Sequence, residues 1–595
     1  MPKPAYSPAG CPGGTGLLAC PRVERAYWAK LRSPAGPPYY HTTCDNLVNI
    51  MKHAWLLLLA PLLLAQEKVD LYTVNRIKAE EFQNSKVMEN AFYLADVYGP
   101  RLTGSPGLKA AAEWAVRRMT EWGLANPNME KWGPFGNGWQ CLHFSASLKE
   151  PQFAPLNAFA RPWTPGTNGP VSGEPIVASL KTDADLEKFK GKLKGKIVLM
   201  EEPGPLVAET DPDLKRFTDA ELASEMLAPD PSPRSRFANP IPLIPGQPAR
   251  PAGPAAGMPF GPEAREAREK FRDKVNQFLK DEGVLVTIAP SYRATSGIVF
   301  GMNGGSQDPK KVVAPPSVAL EVEQYNRIAR LIDKKIPVTL EFDIQNKFLD
   351  DTQDSFTVTG ELPGTSKKDE LVMLGAHLDS WTGGTGATDN GAGSAVVLEA
   401  MRILKALDLK MQRTVRMALW TGEEEGLLGS HAYVKEHFAD RETMALKPEH
   451  AKLSGYFNLD NGTGKIRGAY LQGNDMMRPI FQAWLEPFRD YGAASVTIRN
   501  TGGTDHQSFD AVGLPGFQFI QDPMDYSSET HHSTADTYDH LQAGDLMEAS
   551  AIMAAVVYDA ATRDEMLPRK PLPKPEPPRR REGGEGRPVT AGAGN

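Results

Sequence analysis

The stretch from Leu371 to Asp389, LVMLGAHLDSWTGGTGATD, restricts the fold more than any other part of the chain. Its first residues are uniformly apolar, as in a strand buried on both faces, and such a strand needs helices packed above and below it. The run ends in His377-Leu378-Asp379. Residues two apart on a strand face the same side, so an imidazole and a carboxylate emerge together where the strand stops. Gly383, Gly384 and Gly386 then allow a tight loop, since glycine tolerates positive φ, and the loop returns the chain at Asp389. A helix is expected over 392–407.

The surrounding sequence continues the alternation. A helix over 325–334, strands over 337–349 and 354–361 related as a hairpin, a strand over 414–420, a helix over 426–437 and a strand over 453–459 predict an α/β fold. Its centre is a mixed sheet flanked by helices. Ligands in such folds collect beyond the carboxyl ends of the strands.

Upstream, apolar residues at Val87, Met88, Ala91, Leu94 and Ala95, and again at Ala110, Ala111, Trp114, Ala115 and Met119, recur three and four apart. The segment 71–132 therefore reads as helical, broken by a linker over 99–107. From 151 to 312 the texture changes to short β-like pieces at 173–178, 196–201, 283–290 and 296–300, separated by proline-rich loops of which 237–262 is the longest. This predicts an inserted β-rich domain, with one charged helix over 262–281 as a solvated face above its core.

The two ends read differently from the body. Met51-Lys52-His53 followed by an apolar run to Ala65 has the parts of a secretory leader, and it falls short of the ~20 apolar residues that span a bilayer. Translation is therefore expected to begin at Met51, after an extension over 1–50, and the product to be secreted or periplasmic with no membrane span in the mature chain. Cys11, Cys20 and Cys44 lie in the extension, which leaves Cys141 without an intramolecular partner. The main domain would run over 66–150 and 313–566 around the insertion. A basic, Pro/Gly-rich tail over 567–595 cannot bury enough apolar surface to fold. The formal charge of −7 carries no basic footprint, which excludes nucleic acid as the expected partner.

Two further motifs follow strands, and a third lies in a loop. Thr421-Gly422-Glu423-Glu424-Glu425-Gly426 places carboxylates between glycines at a strand's end, and Asn458-Leu459-Asp460 places another. His531-His532-Ser533-Thr534-Ala535-Asp536 supplies imidazoles from a loop. Together His377, Asp389, Glu424, Asp460 and His532 are a His-and-carboxylate set that suits a pair of zinc ions, with manganese or cobalt as the other candidates. If one carboxylate is shared, five residues give each ion three protein ligands and leave room for a bridging hydroxide.

The order H-x-D, D-N-x-x-G, E-E-x-G-L-x-G-S, N-x-D and H-S-x-x-D-T resembles the secreted co-catalytic zinc peptidases that include bacterial leucyl aminopeptidase, aminopeptidase Y and the glutamate carboxypeptidases. The resemblance covers roughly 72–145 and 340–560, and the GKIVLM stretch at 195–200 resembles the protease-associated domain often inserted in them. It implies that Asp389 bridges the metals, that His377 and Asp460 complete one and that Glu424 and His532 complete the other. It also implies Glu423 as general base and Asp379 as the group that holds His377 in its ligating tautomer. Asp505 and His506, in the loop Gly502–Phe509, and Tyr526 are the expected substrate contacts. His532 is preferred to His531 because it stands four residues before Asp536. The activity implied is hydrolysis of peptide bonds at chain termini, most simply an aminopeptidase. The alternatives are a carboxypeptidase or dipeptidase on the same site, or a binding protein that kept the fold.

Overall fold

The apolar run at Leu371 becomes the middle of a large sheet in the computed structural model, which describes residues 67–204, 210, 212–231, 262–293 and 297–575. The leader and extension expected before Ala65 lie outside the described residues. Strand Lys367–His377 pairs in parallel with Arg413–Trp420 on one side and Leu453–Asn458 on the other. Gly516–Gln521 continues the parallel set, and antiparallel Ser355–Leu362 and Ile466–Tyr470 extend it outward. Ala125–Trp132 and Ser495–Thr497 complete eight strands.

Alternation along Lys367–His377 divides the core. Val372, Leu374 and Ala376 face one hydrophobic cluster, whereas Leu371 and Met373 face another. The first is covered by helices Ala392–Ala406 and Ala543–Thr562, both buried on nearly every side. The second is closed by Leu428–His437 and the short helix His506–Asp510, with Trp420, Tyr456 and Phe509 in contact. With both faces covered, the carboxyl ends of the parallel strands are where a site can form. His377, Thr421 to Glu424 and Asp460 all stand there. Among the described residues no helix is long and apolar enough to cross a membrane.

Several sequence expectations change. The helical reading of 71–132 fails at its end, where Ala125–Trp132 is an edge strand on Ser355–Leu362; its alternation is of polar and half-exposed residues and carries little hydrophobic signal. The expected hairpin between 337–349 and 354–361 does not form. Thr339–Leu349 instead pairs with Gly138–Glu150 in a second, four-stranded sheet, while Ser355–Leu362 enters the central one. The tail expected from 567 still packs at its start. Leu567 is buried, and Arg569 and Lys570 bond to Leu453 O and Asp510.

The inserted segment is α/β rather than β-rich. Pro175–Val177, Ile197–Leu199, Val286–Pro290 and Ser317–Leu320 form a parallel array edged by antiparallel Ala158–Ala160. Parallel neighbours require crossovers, supplied here by helices Asp183–Phe189 and Pro262–Glu282. Strands of three residues are too short to display a period of two. The fifth strand carries this sheet past the expected boundary at 312, and Val322–Asp333 follows it as a helix. No strand forms at 297–300, where a single bridge joins Phe300 to Ser533.

Candidate metal centre

The rim of the parallel strands brings together all five of the expected ligands. His377 Nε2 lies 3.2 Å from Asp460 Oδ1 and 3.3 Å from Asp389 Oδ1. His532 Nε2 lies 3.3 Å from Asp389 Oδ2 and 3.0 Å from Glu424 Oε2. Asp389 thus offers one oxygen to each imidazole, which is the disposition of a shared carboxylate. His531 stacks on His532 but stands further off, with Nε2 3.8 Å from Asp389 Oδ2.

Local backbone explains why these side chains converge. Gly386 turns the loop at φ +71°, and a Cβ there would lie 2.4 Å from Ser380 Oγ. Gly422 has φ +72° and no room for a Cβ beside the Trp132 ring, so the chain can fold back immediately after the strand. His532 itself takes φ +60°, an uncommon conformation for a non-glycine residue and one found at functional sites. It is held by the inserted segment: Gly301 N donates to His532 O at 3.0 Å, and Thr534 N to Val299 O at 3.0 Å. Trp381 packs edge-on against the His532 ring.

The electrostatics call for cations. Asp379, Asp389, Glu423, Glu424 and Asp460 crowd around two imidazoles, and like charges ~4 Å apart repel by about 4 kcal/mol at an effective dielectric of 20. Asp389 Oδ2 and Glu424 Oε1 are buried without a hydrogen-bond partner. Burial, with Asp460, Asp505 and Glu424 nearby, pushes Glu423 well above the usual carboxylate range; burial and Asp389 do the same to Glu424. Against the opposing pull of burial, the hydrogen bond from His377 and the imidazoles around it hold Asp389 low. His377 with Glu423 and Asp460, and His377 with Asp389 and Glu424, are both compact enough to hold an ion. The donor set, nitrogen and oxygen with no sulfur, fits a divalent metal of the zinc or manganese kind.

Asp379 is arranged differently from the expectation. The nearest acceptor to His377 Nδ1 is the Asp379 backbone carbonyl at 3.0 Å, with the carboxylate Oδ1 at 3.6 Å. The other oxygen, Oδ2, accepts from Thr103 Oγ1 at 2.9 Å and Glu424 N at 3.3 Å. Because the strand ends here, the main chain curls back far enough for its own carbonyl to reach the ring. Asp379→Asn should therefore lower metal affinity by only about tenfold, the low end of the usual 10–100-fold, measured by chelator competition; a loss of a thousandfold would mean that the carboxylate itself sets the ring.

Of the expected substrate contacts, Tyr526 reaches the cluster. Burial and the Asp389, Asp460 and Glu424 carboxylates raise its phenol well above the ordinary value, and its ring leans on His531. Asp505 is fully buried with both oxygens unpartnered, and burial followed by the neighbouring Asp460 and Asp379 charges raises it to about 8. His506 is not brought to the ligand group. Its ring is buried against Gln472 and Thr501 O, and burial lowers it to about 4.

Two residues that sequence reasoning passed over, Arg101 and Thr103 from the linker over 99–107, help to hold the site in place. Asp536, used in the sequence only to choose between the two histidines, accepts from Thr388 N at 2.5 Å and Thr388 Oγ1 at 2.9 Å, fixing the turn before Asp389. The signal for Asp536 was its place four residues after His532. Nothing local marks Arg101.

Residues 357–557 match the model of Peptidase family M28. Carboxypeptidase Q of Mus musculus is 32% identical over 254 residues, 43% of this chain and 52% of that protein. Aminopeptidase YwaD of Bacillus subtilis is 30% identical over 208 residues, 34% of this chain and 44% of that protein. The chain thus spans about half the length of the curated relatives it matches. A crystal structure of a Peptidase M28 precursor from Shewanella amazonensis shares the fold, with a TM-score of 0.58 and 23% identity over 84% of this chain and 98% of that one.

Proposed function

We propose that this chain, whose residues 357–557 match the model of Peptidase family M28, is a dinuclear zinc exopeptidase, with free amino termini of peptides as its substrates. The observation that carries this reading is Asp389, whose two oxygens each stand 3.3 Å from a different histidine. His377 and Asp460 would hold one ion with it, and Glu424 and His532 the other. Bound zinc would supply a Lewis acid for the scissile carbonyl and lower the pKa of the attacking water.

The chain's own groups do the rest. Glu423, beside His377 and Asp460 but not required by the ligand count, takes the water's proton on its carboxylate and passes it to the leaving nitrogen. Tyr526, kept as a phenol, donates towards the oxygen of the carbonyl under attack. The Asp379 carbonyl holds His377 with Nδ1 protonated and Nε2 free to ligate. Burial of Trp381 against His532 keeps bulk water from that side. The Met51–Ala65 leader supports export of the enzyme.

A carboxypeptidase or dipeptidase reading draws on the name of the Mus musculus relative and on Arg293, a cation whose charge acts on His531 and His532. One experiment separates the two. Peptides with free and with acetylated amino termini are incubated with the protein, with and without a chelator, and followed by mass spectrometry. Shortening of the free-amine peptides alone, from the amino end and abolished by chelation, is the expected result. Shortening from the carboxyl end transfers the same site to the second reading, and no cleavage by metal-loaded protein overturns both.

A further inference from the structure

The loop that carries Tyr526, His531 and His532 holds a second set of ligand-type side chains. Asp525, Glu529 and His540 each place a donor atom within 4.8 Å of the others. His540 Nδ1 lies 2.6 Å from Asp525 Oδ2, which satisfies one oxygen of that carboxylate. The other does not share in it: Asp525 Oδ1 has no hydrogen-bond partner, although the side chain is only 9% exposed. A buried acceptor left without a partner is costly, and more so when charged.

The neighbours add to the cost instead of relieving it. Glu529 brings a second carboxylate, and Asp213 of the inserted segment faces it as a third. Burial and these two acids raise Glu529, with His540 opposing. The acids cannot simply separate, because the main chain pins them. Ser528 Oγ donates to Asp213 O at 2.8 Å, and Lys215 N to Met524 O at 3.0 Å.

We infer that Asp525, Glu529 and His540 bind a divalent cation at a site that shares no side chain with the Asp389 cluster. One imidazole with carboxylate oxygens, and no thiolate, suits zinc or manganese. The ion would sit on the loop that carries Tyr526 and His532, with Asp213 beside Glu529, and would offset the repulsion among these acids.

The full chain, dialysed separately against zinc and manganese, is assayed for metal per chain by mass spectrometry. Glu529→Gln and His540→Gln should each lose a single equivalent relative to the parent, whereas Asp389→Asn should lose metal from the other cluster and keep this one. The same metal content in the parent, Glu529→Gln and His540→Gln in both arms overturns the assignment. Since a variant can fail to fold, crystals of the unaltered chain soaked in each metal give the deciding measurement. An anomalous peak ~2.0–2.2 Å from Asp525, Glu529 and His540 supports the site, and the absorption edge identifies the ion. No peak there in either soak refutes it, whatever the Asp389 cluster holds.

Discussion

Glu423→Gln is expected to keep its metal and to lose turnover by ~10²–10⁴-fold, the range that a general base contributes. The substitution retains the size of a side chain only 8% exposed and removes its ability to accept a proton. His377, Asp389, Glu424, Asp460 and His532 are untouched, so metal content should match the parent's. KM should change little, because the lost interaction exists in the transition state and not in substrate binding. Steady-state kinetics and metal analysis on one preparation check both halves. Turnover at the parental rate with full metal would remove Glu423 from the chemistry, and loss of metal would recast it as a ligand.

The second large effect concerns stability. Arg101 is fully buried, and its guanidinium donates to four backbone carbonyls: Leu378 at 2.7 Å, Leu94 at 2.6 Å, Thr385 at 3.1 Å and Gly386 at 2.8 Å. Burial lowers its pKa to about 10, which leaves it a cation at neutral pH among Asp536, Asp379 and Asp389. Three of its acceptors, Leu378, Thr385 and Gly386, lie between His377 and Asp389 and the fourth, Leu94, in the helical turn Tyr93–Val97, so this one side chain ties that loop to the preceding helix. Arg101→Met would strand those carbonyls and remove the charge, costing ~3–5 kcal/mol, a large part of the ~5–15 kcal/mol that holds a typical domain together. Arg101→Lys should recover little, since a lysine lacks the planar fork. Thermal unfolding followed by circular dichroism tests this; a midpoint for Arg101→Met within about 1 °C of the parent's would show that the carbonyls are satisfied otherwise.

The sheet and the candidate ligands at its rim were legible for a local reason. A strand buried on both faces must be apolar throughout, and a parallel strand must end where the chain can turn, so 371–376, 414–420 and 453–458 announce themselves together with the polar residue that terminates each. His377, Glu423, Glu424 and Asp460 need only that local grammar. The resemblance carried by the motif order adds Asp389 and His532 to them. The short parallel strands of the insertion, the polar edge strand at Ala125 and the partner of Thr339–Leu349 were not legible, because pairing over hundreds of residues leaves no period in either segment.

What the sequence by itself determined is therefore which side chains are available at the ends of strands and what chemistry they can support. Tertiary structure alone decided how they are held. Gly301 and Val299, from the insertion, bond the backbone at His532 and Thr534. Arg101 and Thr103, from a segment that reads as a linker, brace the Asp389 loop and Asp379. The Asp379 carbonyl, not its carboxylate, lies nearest His377. Each of these is a hydrogen bond between groups that every residue or many residues carry, so its information lies in position and not in residue type.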